Sequence, residues 1–253
     1  TAQKTALLIC NLYPRRARTS QPSGKGKQSQ SSPRTRFPFH GLGHFGLVRR
    51  HFLEVICLKN CIKLLSPCGI LGYGFPTDSF LRGMQMQPDA IVVDAGSTDA
   101  GPHKLGAGVS IVSRTAAKMD ISSMVKQGLL HKIPIIIGSA GGAGARVHVE
   151  WTLDILREVL SEQKRHARVA VIYADIRSDD IRLAMREGRI APLGNTVPPL
   201  TEETLETTHS IVAQMGHEPI VEALKQGADI IVCGRAYDPS PFAAVGILAG
   251  FDP

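Results

Sequence analysis

Ile133-Pro-Ile-Ile-Ile-Gly-Ser-Ala-Gly-Gly-Ala-Gly-Ala-Arg-Val-His148 sets an apolar, β-branched run directly before a loop of glycines. The next stretch has helical periodicity. Over 148–163, Val149, Leu153, Leu156 and Leu160 recur on one face while Asp154 and Glu158 point outward, the pattern of an amphipathic helix packed on a core. Pro134 falls at the start of the run, where a missing N–H is tolerated. The same order of apolar run then polar or glycine loop occurs three more times. Ala90-Ile-Val-Val-Asp94 runs into Asp94-Ala-Gly-Ser-Thr-Asp99, 168–173 into Tyr173-Ala-Asp-Ile-Arg177, and 229–233 into Gly234-Arg-Ala-Tyr-Asp-Pro239. Between them the spacing predicts helices at 77–86 (capped by Thr77 or Asp78), 114–127 (stopped by Gly128), 178–187 (capped by Ser178, ended by Gly188), 203–215 and 217–226. A short strand is expected at 62–66 and a long Gly/Ser/Pro loop up to about Val112. Strands alternating with helices imply right-handed βαβ units. The fold class is therefore α/β with a mainly parallel sheet, and an open doubly wound sheet and a partial barrel both fit.

The charge separates the chain into two parts. The net charge is +7 overall, but residues 1–63 hold twelve Lys/Arg against the single acid Glu54, and the remainder holds seventeen against twenty-one acids. The basicity belongs to the first part, so nucleic acid is not an expected partner of the α/β region. Residues 14–39 have no acid and no hydrophobic period, a composition that does not repay its ordering entropy. We expect 1–60 to be a largely disordered leader or a non-homologous segment, and 61–253 to be a partial α/β domain. An Arg- and Ser-rich, acid-poor leader also fits an organellar transit peptide, so the expected location is cytoplasmic with a mitochondrial alternative. The chain stops shortly after a helix at Gly250-Phe-Asp-Pro253, which reads as truncation within a longer protein. Five cysteines (Cys10, Cys57, Cys61, Cys68 and Cys233) lack paired zinc spacing and read as free thiols. No apolar run approaches the roughly 18 residues of a membrane span.

If the four runs are parallel strands, their loops leave the sheet at one edge, where ligands of α/β proteins bind. Ser139, Gly141, Gly142 and Gly144 open a helix, so unobstructed amides there suit phosphate or carboxylate, with Arg146 as an added charge. The alternative is a tight turn in which glycine only permits close packing. Asp94 and Asp99, with Ser97 and Thr98 between them, suit acid/base work, a ribose or amine contact, or a divalent metal; an Asx turn is the bland alternative. His103, in the long loop, adds a second acid/base candidate beside Lys104. Asp175 and Arg177, and Arg235, Tyr237 and Asp238, reach the same edge. Arg235 suits bidentate recognition of carboxylate or phosphate. No GxGxxG, P-loop, Gly-x-Ser-x-Gly or HExxH is present.

Ser66-Pro-Cys-Gly-Ile-Leu-Gly-Tyr-Gly-Phe75, Val93-Asp-Ala-Gly-Ser-Thr-Asp-Ala-Gly-Pro102, Ile137-Gly-Ser-Ala-Gly-Gly-Ala-Gly144 and Gly227-Ala-Asp-Ile-Ile-Val-Cys-Gly-Arg-Ala-Tyr-Asp-Pro239 together resemble the N-terminal domain of the acyclic terpene utilisation (AtuA-type) proteins, over roughly residues 64–253. The resemblance implies catabolism of branched acyclic acids as their coenzyme A esters, and a following ferredoxin-like domain or homo-oligomer as partner. A lyase- or hydratase-like step on an organic acid or acyl-CoA is the expectation. A nucleotide-dependent enzyme, suggested by Asp94-x-Gly-Ser-Thr98, and a non-catalytic scaffold subunit are the alternatives.

Overall fold

The computed structural model describes residues 7–12 (backbone only), 61–97 and 101–252. Strands β1 (Leu7–Leu12), β2 (Leu64–Leu65), β3 (Ala90–Asp94), β4 (Ile135–Gly138), β5 (Ala167–Ile172) and β6 (Ile230–Cys233) form one sheet in the order β1-β5-β6-β4-β3-β2. β2 to β6 are mutually parallel, and β1 adds to the edge of β5 antiparallel. The sheet is open, which decides between the two architectures that the sequence left standing.

The helices are α1 (Thr77–Gln85), α2 (Gly101–Ala107), α3 (Arg114–His131), α4 (Arg146–Glu162), α5 (Ser178–Arg186), α6 (Glu202–Thr207), α7 (Glu218–Lys225) and α8 (Ser240–Leu248). Alternate strand residues divide between two cores. Ile91, Val93, Ile135, Ile137, Val169, Val171, Ile230 and Val232 face α1, α3 and α4, and Val92, Ile136, Ala170, Ile172, Ile231 and Cys233 face α7 and α8. Both faces are covered, so the strands are continuous apolar runs rather than alternating ones. On α4, Val149, Leu153, Leu156 and Leu160 are all buried, each contributing about 1.5–3 kcal/mol by leaving water.

The connections position the site. β2, β3, β4 and β5 step across the sheet in one direction, with their helices on the first face, but the step from β4 to β5 leaves one place empty. β6 then turns back into that place, and right-handed crossovers put α7 and α8 on the second face. The chain thus leaves β4 and its neighbour β6 toward opposite faces. A crevice opens between two such strand ends, at the reversal of strand order.

Several expectations differ from what is observed. α3 runs through Gly128 to His131 and ends with Lys132 in the left-handed region at φ 57°. Gly128 is no stop signal: a Cβ there would lie 2.6 Å from Ile135 Cδ1, so glycine admits close helix–strand packing. The expected 203–215 helix is only α6. Residues beyond it extend and pair instead, Ala213 N donating to Ala174 O (2.8 Å) and Met215 N to Arg235 O (3.0 Å). The long loop before Val112 contains α2. Arg177, not Ser178, takes the N-cap position of α5. Leu7–Leu12, within the expected leader, form β1, while the disorder expected at 14–39 lies outside the described residues. Among the described residues, no helix is long and apolar enough to cross a membrane.

Candidate functional site

Hydrogen bonds lace the strand-end loops into one surface. Leu71 N donates to Asp94 O (2.9 Å), Ala95 N to Gly138 O (2.9 Å), Ser97 N to Gly142 O (3.3 Å), Ala140 N to Cys233 O (2.9 Å) and Arg235 N to Gly144 O (3.0 Å). The bonds run from loop to loop across β3, β4 and β6, so the crevice walls are fixed by backbone.

Asp94 ends β3 beside Gly138 of β4. A side chain at Gly138 would come within 3.3 Å of Asp94 Oδ1 and 2.9 Å of Pro241 Cγ, so glycine leaves the space that the carboxylate occupies. Oδ1 is buried and has no hydrogen-bond partner among the described residues. Removal from water pushes the Asp94 pKa up from 3.8 to about 6. The nearby Asp238 carboxylate adds to that, while the Gly96 N–H, Arg235 and the Ser139 hydroxyl act against it. A carboxyl tuned toward neutrality and carrying an unspent acceptor suits proton transfer near pH 7.

Arg235 faces it from the loop after β6. Its side chain is 11% exposed and pairs at 3.1 Å with Asp238, which is 58% exposed. Gly96 separates the guanidinium from the loop after β4: a Cβ there would stand 2.7 Å from both Arg235 Nη1 and Ser139 Cβ. Ser139 is fully buried and its hydroxyl bonds both backbone groups of Ala236 at 3.2 Å. Asp94, Ser139, Arg235 and Asp238 therefore meet at the β4/β6 reversal.

The glycine loop turns its amides inward. Gly142 N donates to Ser139 O (2.9 Å) and Gly144 N to Ala140 O (3.2 Å). At the start of α4, Arg146 N donates to Asp175 Oδ1 (3.0 Å), so a carboxylate of the chain already stands at that helix end. Close packing accounts for the glycines themselves. A Cβ on Gly141 would meet His148 Cβ at 2.8 Å, one on Gly142 would meet Ile111 Cγ2 at 2.7 Å, and one on Gly144 would overlap the Arg235 backbone. Arg146 lies over the Tyr173 ring, 3.8 Å from its centroid, and the Tyr173 hydroxyl donates to Glu150. Arg146, at the start of α4, and Asp175 and Tyr173, on the loop after β5, form a separate cluster.

His103 is exposed on α2, Ser97 is half-buried, and Arg177 pairs with Asp180 at 2.9 Å. Thr98 and Asp99 lie outside the described residues. Among the described residues, no three His, Cys, Asp or Glu side chains are placed to hold a metal ion. A groove of about 410 Å³ lined by Arg114, Asp154, Arg157, Glu158, Ser161 and Glu162 lies along the C-terminal half of α4. Because α4 runs back against the strands, that groove is away from their C-terminal ends, and ion pairs such as Lys118–Glu158 (2.6 Å) neighbour it.

Two buried polar residues were given no site role by the sequence reading. Asp120 of α3 accepts from Gly72 N (2.7 Å) and Gly74 N (3.2 Å), anchoring the loop after β2. Burial, then the Asp120 charge, pushes the Cys68 thiol there up to about 12. His148, 1% exposed, donates from Nε2 to Val109 O (3.2 Å) and so ties α4 to the segment after α2; its Nδ1 has no partner among the described residues. Asp120 was hidden because nothing nearby in the chain marks a carboxylate whose partners are some 46 residues away.

No curated protein and no solved structure matches the chain. The family model described as "Acyclic terpene utilisation family protein AtuA" matches residues 114–249, which takes in the loops after β4, β5 and β6 and leaves Asp94 outside the matched span. A match over more than half of the sequence, on the strands that build the crevice, places this chain in the acyclic terpene utilisation (AtuA) family.

Proposed function

We propose that the β4/β6 crevice is an active site for a branched acyclic acid or its coenzyme A ester, in a lyase- or hydratase-like step. Membership of the family gives the wider context, a role in acyclic terpene utilisation. Asp94 carries this reading: its buried Oδ1 is unpartnered among the described residues and its pKa is raised to about 6 opposite a guanidinium. In the forward direction Asp94 takes a proton from water as the water oxygen bonds the β-carbon of an unsaturated acid, the π electrons move to the α-carbon, and Asp94 returns its proton there. Reversal expels water. Arg235 holds the substrate carboxylate or a phosphate of the coenzyme, displacing Asp238 from its 3.1 Å pair. The anion is assigned to Arg235 because the Gly142, Gly144 and Arg146 amides are already engaged. For the nucleotide alternative, the Asp94 loop leads to α2 where a phosphate-binding hairpin would be wanted.

The test is a thermal-shift series with isovaleryl-CoA, coenzyme A and ATP–Mg²⁺. A ligand at 100 times its Kd adds about 2.7 kcal/mol of stability. A shift with isovaleryl-CoA that is lost in Arg235→Ala supports the reading. A shift with ATP–Mg²⁺ alone rejects it for the nucleotide alternative, and acyl-CoA binding without turnover in the presence of an unsaturated analogue leaves a binding subunit.

A further inference from the structure

We propose that Ser139 is a positioning residue that fixes Arg235 opposite Asp94, a role that rests on reading Arg235 as the group that holds the substrate anion. Ser139 has φ 47°, the left-handed region in which side-chain-bearing residues other than Asn and Asp are uncommon. Glycine would sit there without strain, and the loop is otherwise rich in glycine. A serine held in this conformation, wholly out of solvent, needs a reason in its hydroxyl.

The hydroxyl accepts from Ala236 N and donates to Ala236 O, both at 3.2 Å. It thus grips both backbone groups of the residue that follows Arg235. The Arg235 backbone is held on its other side, where its N–H donates to Gly144 O (3.0 Å) and its carbonyl accepts from Met215 N (3.0 Å). The left-handed turn at residue 139 swings the side chain across the crevice from the loop after β4 to the loop after β6. Gly96 completes the arrangement: with no Cβ, it lets Ser139 and the Arg235 guanidinium close on the same point, two residues beyond Asp94. Without the hydroxyl, the loop after β4 would hold the Arg235 loop through the backbone bonds from Ala140 N to Cys233 O and from Arg235 N to Gly144 O, and Ala236 would be released.

Two measurements test the role, one of them free of ligand. Crystal structures of Ser139→Gly, which keeps the left-handed turn, and of Ser139→Ala should show the Arg235 guanidinium moved off Gly96 by about 1 Å or more, the displacement at which a site loses its geometry. If Arg235 keeps its place in both variants, the proposal is overturned whatever the ligand proves to be. In calorimetry with isovaleryl-CoA, S139G should weaken binding about tenfold, the equivalent of one charge-assisted hydrogen bond. That loss should vanish in an R235K background, whose flexible ammonium does not depend on the clamp. An S139G loss that persists in full beside R235K overturns the proposal, because Ser139 then acts through something other than Arg235. Failure of the unmodified protein to bind isovaleryl-CoA rejects the proposed function, while the structures still decide the role of Ser139.

Discussion

Asp94→Asn should make the protein more stable near neutral pH. The folded Asp94 has a pKa of about 6 against 3.8 in an unfolded chain, because burial penalises its charged form. A folded-state pKa above the unfolded one means that the native state holds the proton more tightly. The stabilising effect is complete below pH 4 and is lost as pH rises through 6. The interval of about two pH units, at about 1.36 kcal/mol each, corresponds to about 3 kcal/mol. Partial exposure of the carboxyl to solvent reduces this to about 2 kcal/mol. Asn is close in shape to the protonated acid and carries no charge, so D94N should match the parent near pH 3 and exceed it by about 2 kcal/mol at pH 7.5. Urea denaturation of both proteins at the two pH values measures the difference of differences, in which all other titrating groups cancel. A gap between variant and parent that is the same at both pH values would show that the Asp94 carboxyl is not strained by burial, and with it would go the argument for proton transfer at this residue.

Arg235→Ala should raise the Asp94 pKa further and Asp238→Asn should lower it, since the first removes an attraction and the second a repulsion; carboxyl ¹³C titration reads both signs, and shifts in the same direction would refute the arrangement. Gly144→Ala combines φ 72° with overlap on the Arg235 backbone, and should cost about 3 kcal/mol in urea denaturation. Asp175→Ala removes the acceptor of Arg146 N and should cost about 1 kcal/mol, as loss of a helix N-terminal cap does. Asp120→Asn should loosen the 66–75 loop and lower the Cys68 pKa from about 12, though not to its ordinary value because burial is the larger cause; alkylation rate against pH would show it.

The positions of β3, β4, β5 and β6 were legible in the sequence because each is an apolar, β-branched run followed by a polar or glycine loop, and that in turn put Asp94, Ser139, Arg235 and Asp238 at one edge; β1 was not, because it lies in a basic segment with little hydrophobic pattern. Their convergence was not legible, since nothing local says that β6 enters between β4 and β5. Gly128 misled for a related reason. A glycine late in a helical pattern reads as a stop, yet its partner is the Ile135 side chain, a tertiary contact. Residues 208–215 kept helical periodicity but were drawn into pairing with the loops after β5 and β6. The anion reading of the glycine loop also weighed two roles that sequence cannot separate, because the same residues serve open amides and close packing.

The place left empty between β4 and β5 governs how the molecule is made. Residues 230–233 are synthesised after the four strands from β2 to β5 and yet sit in the middle of the sheet. With β6 absent, the edges of β4 and β5 that it pairs in the folded protein would have no partner strand. Unpaired edges are templates for pairing with other chains, so a chain that lacks β6 should be prone to aggregate. That strand brings Arg235 with it. Closing the sheet and completing the crevice are therefore one event.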